Sequence, residues 1–165
     1  MPPTEADTAA QRARRKALVR QLVEEGVNQG HLEIVEAVLA PTCRAPLPDG
    51  SGPQSIKELL GLYRRAVPDA QWTIEEQIAE GDTVVTRFTA RGTHQGPLWG
   101  LPATGRWVQV RGVLISRCRG EAIVAQWGQA DLLALLQQLG VMPPLALDKA
   151  VVVERVLRAS ARWTR

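Results

Sequence analysis

The chain has 165 residues, 45% of them hydrophobic and 22% charged, a size and balance suited to one globular domain with a single core. No uncharged apolar run approaches the roughly 20 residues needed to cross a bilayer, and MPPTEADTAAQRARRK carries no apolar segment behind its basic cluster, so the expectation is a cytoplasmic protein with no membrane partner. The net charge of +3 is spread over basic and acidic residues that alternate along most of the chain, and aromatics are 4%, which argues against a nucleic-acid partner.

Taken in chain order, Leu18, Val19, Leu22 and Val23 recur at helical spacing from about Thr8, with Gly26 as the stop. HLEIVEAVLAP predicts a short second helix bearing Ile34, Val35, Val38 and Leu39 and ended by Pro41. After the turn-rich PLPDGSGP comes a third helix with Ile56, Leu59, Leu60, Tyr63 and Val67 on one side, closed by Pro68 and Asp69. The period then changes to two. QWTIEEQIAEGDTVVTRFTARGTH reads as a hairpin turning at Glu80-Gly81-Asp82, a third strand runs over roughly 105–118, and Gly120 leads into a fourth, EAIVAQWGQ. DLLALLQQLG is a helix from Asp131 to Gly140. LALDKAVVVERVLRASARWTR is a last amphipathic helix, with Asp148 as cap and Arg155, Arg158, Arg162 and Arg165 on its polar side. The order predicts an α+β domain: a four-stranded antiparallel meander that buries one face under helices.

Cys43 and Cys118 lie far apart, without a His or Cys at zinc spacing, and read as ordinary thiols; no metal or cofactor motif is present. The segment GTHQGPLWGLPATGRWVQV, residues 92–110, is less ordinary, because its Gly- and Pro-rich loop carries Trp99. An apolar ring in a loop either plugs a core edge, packs on a dimer partner or borders a cavity.

The stretch IAEGDTVVTRFTARGTHQGPLWGLPATGRWVQVRGVLI, followed by WGQADLLALLQQLG, resembles the SnoaL-like polyketide (ester) cyclases. The pieces that carry the resemblance are EGD before a strand, GTH-x-G at its end, the G-x-P-A-T-G-R loop and W-x-x-x-D-x-x-x-L-L-x-Q-L-G, and the resemblance as a whole covers roughly Gly26–Pro144. The resemblance implies the ketosteroid-isomerase or nuclear-transport-factor-like fold, a curved antiparallel sheet and helices forming a cone-shaped α+β barrel around an apolar cavity. It also implies a domain over residues 1–144 with a helical extension over 145–165, and a homodimer formed through the sheet face. The activity it implies is a cofactor-independent intramolecular aldol closure of an apolar polyketide-like intermediate in specialised metabolism, with Asp131 as the carboxylate acid/base and His94 as the GTH histidine. Where many relatives carry a His or Asn after the second helix, this chain reads PTCRAPLPDG. Epoxide-opening hydrolases, ether-forming cyclases and silent binders share the superfamily, so those alternatives stay open.

The residues themselves support several roles. An aldol step needs a base beside an apolar pocket that excludes water. Asp131 shares strand parity with Ile123, Ala125 and Trp127 and is also a good helix N-cap. His94 shares parity with Val84, Thr86, Phe88 and Ala90, which turns it inward as a donor to a substrate oxygen or as a histidine satisfied by a loop carbonyl. Glu76, in step with Trp72, Ile74 and Ile78, is a second acid/base candidate or an edge carboxylate. Arg117 is a candidate carbonyl anchor or an outward-facing charge, and His31 a surface or capping residue. The expected cavity is lined by Leu59, Tyr63, Trp72, Ile74, Phe88 and Trp127, with Trp99 over its mouth and Gly96 and Gly100 lending mobility.

Overall fold

The computed structural model describes residues 8–45 and 52–143. Helix α1, Ala9–Gln21, opens on a capping box: Gln11 N–H donates to the Thr8 hydroxyl at 3.2 Å, and Thr8 N–H donates to the Gln11 side-chain carbonyl at 2.9 Å. The helix does not stop at Gly26 but widens into a π-helical turn, Leu22–Asn28, which keeps Leu22, Val23 and Gly26 buried.

Helix α2 is shorter than expected, Glu33–Val38, and here the local pattern is overruled. Leu39, assigned by periodicity to the helix, begins strand β1, Leu39–Arg44, with Leu39 and Cys43 buried. β1 lies parallel to the last strand, Leu39 pairing with Ile123. Pro41 is tolerated because β1 is an edge strand, where a missing N–H is lost only to the solvent side. The sheet therefore has five strands and is mixed, where the sequence predicts a four-stranded antiparallel one.

The other four strands form the expected meander: β2, Gln71–Glu80; β3, Thr83–Thr93; β4, Trp107–Arg119; β5, Ala122–Ala130. The sheet order is β1-β5-β4-β3-β2, curved and unclosed, and Gly81 and Gly120, at φ 54° and 58°, supply the turn residues of the two tight hairpins. Helices α3, Pro53–Ala66, and α4, Leu132–Gln138, complete the α+β cone with α1 and α2. No helix among the described residues is long and apolar enough to cross a membrane. The expected last helix and the 145–165 extension lie outside the described residues.

Two β-bulges decide which side chains reach the interior. On β2 the pairing steps from Ile74–Phe88 to Glu76–Arg87, so Glu75 is an extra residue and strand parity reverses there. On β5 it steps from Ile123–Cys118 to Ala125–Arg117, so Val124 is extra and parity reverses again. Beyond the bulges Gln77, Gln126 and Gly128 face inward, whereas Glu76, Ile78 and Trp127 face out.

The interior holds two apolar clusters. One is solid, built from α1, α2, β1 and the hairpin ends of β3, β4 and β5, with Val19, Val35, Val84, Cys118 and Ile123 at most 1% exposed. The second lies near the β3–β4 loop and joins Ala66, Leu98, Val108, Leu135 and Leu139 to half-buried Tyr63 and Val110.

Candidate active site

The second cluster surrounds a cavity of about 130 Å³. Val108, Val110, Leu135 and Leu139 form much of its apolar wall, and Tyr63, Trp72, Phe88, His94 and Trp99, all named from the sequence, also line it. Trp72 and Phe88 stack with ring centroids 4.3 Å apart and planes 9° from parallel. Phe88 lies flat because its cross-strand partner is Gly112, where a Cβ would come within 2.5 Å of the ring. Burial raises the Tyr63 phenol above its usual range, so it presents a protonated, neutral group.

His94 is the polar centre of this wall. It ends the inward series Val84, Thr86, Phe88, Ala90 and is fully buried. Its ring is held by Thr104: the Thr104 backbone N–H donates to Nδ1 at 3.2 Å, and the Thr104 hydroxyl stands 3.0 Å from the same nitrogen. A backbone amide can only donate, so Nδ1 is the acceptor and the neutral ring carries its proton on Nε2. Nε2 is buried and has no hydrogen-bond partner among the described residues. Leaving a buried donor unpaired costs about 1–3 kcal/mol.

The loop carrying Trp99 is more fixed than its glycines indicate. Gln95 N–H and Gly96 N–H both donate to the Ala66 carbonyl, at 2.9 and 3.0 Å, docking the loop on the end of α3. Gly96 is there for close approach, not for mobility, since a Cβ would lie 2.1 Å from the Arg65 carbonyl oxygen. Leu98 and Leu101 exchange hydrogen bonds at 3.0 and 2.8 Å around Trp99 and Gly100, whose φ values are 49° and 81°. Positive φ at both central residues makes this a type I′ turn, and a bulky residue at its first position is strained. Trp99 is 51% exposed, lines the cavity and meets Tyr63 edge-on at 6.4 Å. Its position answers why the loop carries a ring: Trp99 is the rim of the cavity.

Glu76, Trp127, Ile74 and Leu59 are corrected as cavity residues, whereas Arg117, Asp131 and His31 take the outward, capping and surface places that were among their expected alternatives. Glu76 is outside, beyond the Glu75 bulge, and pairs at 3.6 Å with Arg87 across exposed surface. Arg117 faces out, 3.5 Å from Asp82 and with its guanidinium 5.9 Å from the Trp127 ring centroid. Trp127 is on the same outer face, set there by the Val124 bulge. Neither Ile74 nor Leu59 lines the cavity. Asp131 is exposed and caps α4, accepting the Ala134 N–H at 2.9 Å; its neighbours Ala130 and Leu132 line the cavity, but Asp131 does not. His31 is exposed at the start of α2. Thr104 was missed as a site residue, although it is the T of the G-x-P-A-T-G-R loop, ten residues after His94. Among the described residues no three His, Cys, Asp or Glu side chains gather as a metal site.

Comparisons with known proteins agree with this fold. No curated protein matches the chain. Among solved structures, TsrD from Streptomyces laurentii is 29% identical, with a TM-score of 0.74 over 79% of this chain and 98% of its own. AclR from Streptomyces galilaeus, a proposed hydroxylase, is 27% identical, with a TM-score of 0.74 over 92% and 95%. IdmH from Streptomyces antibioticus, a proposed polyketide cyclase, is 28% identical, with a TM-score of 0.67 over 76% and 98%. The family model for SnoaL-like polyketide cyclases matches residues 17–139, and the chain belongs to that family.

Proposed function

We propose that the protein is a cofactor-independent cyclase of specialised metabolism, working in the cytoplasm, which takes a carbonyl-bearing, mostly apolar polyketide-like intermediate into the cavity and closes a ring by intramolecular aldol addition. The observation that carries this reading is the buried, unpartnered Nε2–H of His94 on a mostly apolar wall. In an aldol closure a base removes a proton from the carbon next to one carbonyl. The resulting enolate carbon bonds to a second carbonyl carbon, whose oxygen takes a proton, so nothing is oxidised or reduced. A neutral imidazole with its N–H fixed toward the substrate stabilises the oxygen on which enolate charge grows, and does so best in a dry site. Thr104 serves the same end by holding the proton on Nε2. The proton acceptor we assign to Asp131 at the rim, where one carboxylate oxygen caps α4 and the other remains for a substrate reaching between Ala130 and Leu132.

A non-catalytic binding protein is the second reading, favoured by one observation: among the described residues no carboxylate lines the cavity. A direct test uses 2,6-heptanedione, whose aldol closure and loss of water give a cyclohexenone followed by ultraviolet absorbance. Wild type should accelerate the closure, while His94→Phe and Asp131→Asn should each lower the rate by about 100-fold. Binding without turnover, with affinity unchanged in Asp131→Asn, would establish the binding reading instead.

We also propose a homodimer through the outer sheet face. Ile78, Val85, Ile115 and Trp127 are successive cross-strand partners and form one apolar row over β2 to β5, with Ile78 59%, Ile115 40% and Trp127 38% exposed. Sedimentation of an Ile115→Glu variant as a monomer is the expected outcome.

A further inference from the structure

How much of the substrate enters the barrel is written in the rows of the inner sheet face. From the loop end these rows are Gly92 with Val108; Ala90 with Trp72 and Val110; Phe88 with Ile74, Gly112 and Ala130; and Thr86 with Leu114, Gly128 and Gln77. The cavity is lined from the first three rows and by no residue of the fourth. Phe88 is the reason. Its ring, stacked on Trp72 and laid across Gly112, is a floor that cuts the cavity off from the Thr86 row.

The space above that floor is about 130 Å³. An apolar cavity of about 150 Å³ holds a benzene molecule, so one six-membered ring occupies a space of this size. Trp99 and Leu132, 51% and 46% exposed, line the cavity together with the exposed Arg91 and Ala130, so the opening lies on the side where these four residues stand. Resting on the reading of His94 as donor, we infer that the site is selective for a one-ring end group bearing a carbonyl, such as an aryl ketone or a cyclohexenone. A fused three-ring system does not fit above Phe88, and any remainder of a longer substrate stays outside, past Trp99 and Leu132.

Three probes test this on the intact protein, by calorimetry and by the resonance of the His94 Nε2–H. Acetophenone should bind and shift that resonance. Ethylbenzene, of similar shape but without an acceptor, should bind about 10-fold more weakly and shift it less. Anthrone, with its carbonyl inside three fused rings, should leave the resonance unmoved in wild type and should shift it in Phe88→Ala or Phe88→Leu, where the floor opens toward the Thr86 row. If anthrone shifts the His94 resonance of wild type as acetophenone does, the one-ring limit is wrong although His94 remains a donor. If acetophenone binds no better than ethylbenzene and leaves His94 unmoved, the donor reading fails, and the selectivity drawn from it falls too. Should the Phe88 variants not fold, the three probes on wild type decide the matter.

Discussion

The two ends of the barrel interior are built from similar residues and do different things. At the hairpin end, Val19, Val35, Val84 and Ile123 interdigitate with Cys43 and Cys118 into a solid core. At the loop end, Leu98, Val108, Leu135 and Leu139 are nearly as buried, yet they enclose a space. The difference lies in what stands between the walls. In the solid end, aliphatic side chains from α1, α2 and β1 meet the sheet and fill the gap, as close packing demands. In the other, rigid rings at Trp72, Phe88 and Trp99 and the docked loop hold the walls apart, so the fold gives up packing energy to keep a binding volume.

The largest effect should come from deleting side chains at each end. Ile123→Ala, in the solid core, should lower stability by about 2–5 kcal/mol, because a void there has no solvent to relax into. Leu135→Ala enlarges an existing cavity and should cost about half as much; equal costs by urea denaturation would mean the two ends pack alike.

Next in size is the α4 cap at the rim. Asp131→Ala should cost about 1 kcal/mol, whereas Asp131→Asn should keep the cap and stay within a few tenths of wild type. Thermal unfolding of the pair separates the capping role from the proton-transfer role assigned above.

Trp99→Gly sharpens the comparison from the rim. Glycine relieves the positive φ, worth about 1–2 kcal/mol, but loses the contact with Tyr63, so stability should change by less than about 1 kcal/mol while acetophenone affinity falls. A clear destabilisation would show that Trp99 belongs to the core and not to the rim.

The last effects appear only away from neutral pH, where Cys118 at the solid end and Asp69 near the loop end should act with opposite sign. At the solid end, burial pushes the Cys118 thiol up to about 11, so the folded state holds a proton that the unfolded chain releases near pH 9. Its contribution is complete below that pH and is lost as pH rises toward 11. Near the loop end, the Thr93 N–H donating to Asp69 at 2.7 Å holds that carboxyl below its ordinary value. Its contribution is present at neutral pH and is lost as pH falls through the carboxylate range. Asp69→Asn should reduce the acid-side slope alone, and Cys118→Ala should reduce the alkaline one alone, leaving there the part due to Tyr63 and Cys43, which burial also raises, as read from unfolding midpoints against pH.

Local pattern determined a good part of this molecule. The 3.6-residue spacing marked α1 and α3, the period-two alternation marked β2 to β5, and the spaced motifs from EGD to QLG marked the family. His94, Phe88 and Trp72 were legible as inward residues because each lies on a stretch of strand whose alternation runs unbroken to the cavity. Tertiary structure decided the rest. β1 exists because Leu39 and Cys43 find a partner in β5, a pairing that no window of neighbouring residues encodes. Glu76 and Trp127 were misplaced because one inserted residue in a bulge inverts every side chain after it, and an insertion shows only against the partner strand. Which nitrogen of His94 carries the proton and how deep the cavity runs depend on atoms that only the folded chain brings together: Thr104 N–H with an imidazole, Gly112 beneath Phe88. Sequence periodicity fixes the face a residue prefers; only the assembled barrel fixes what that face meets.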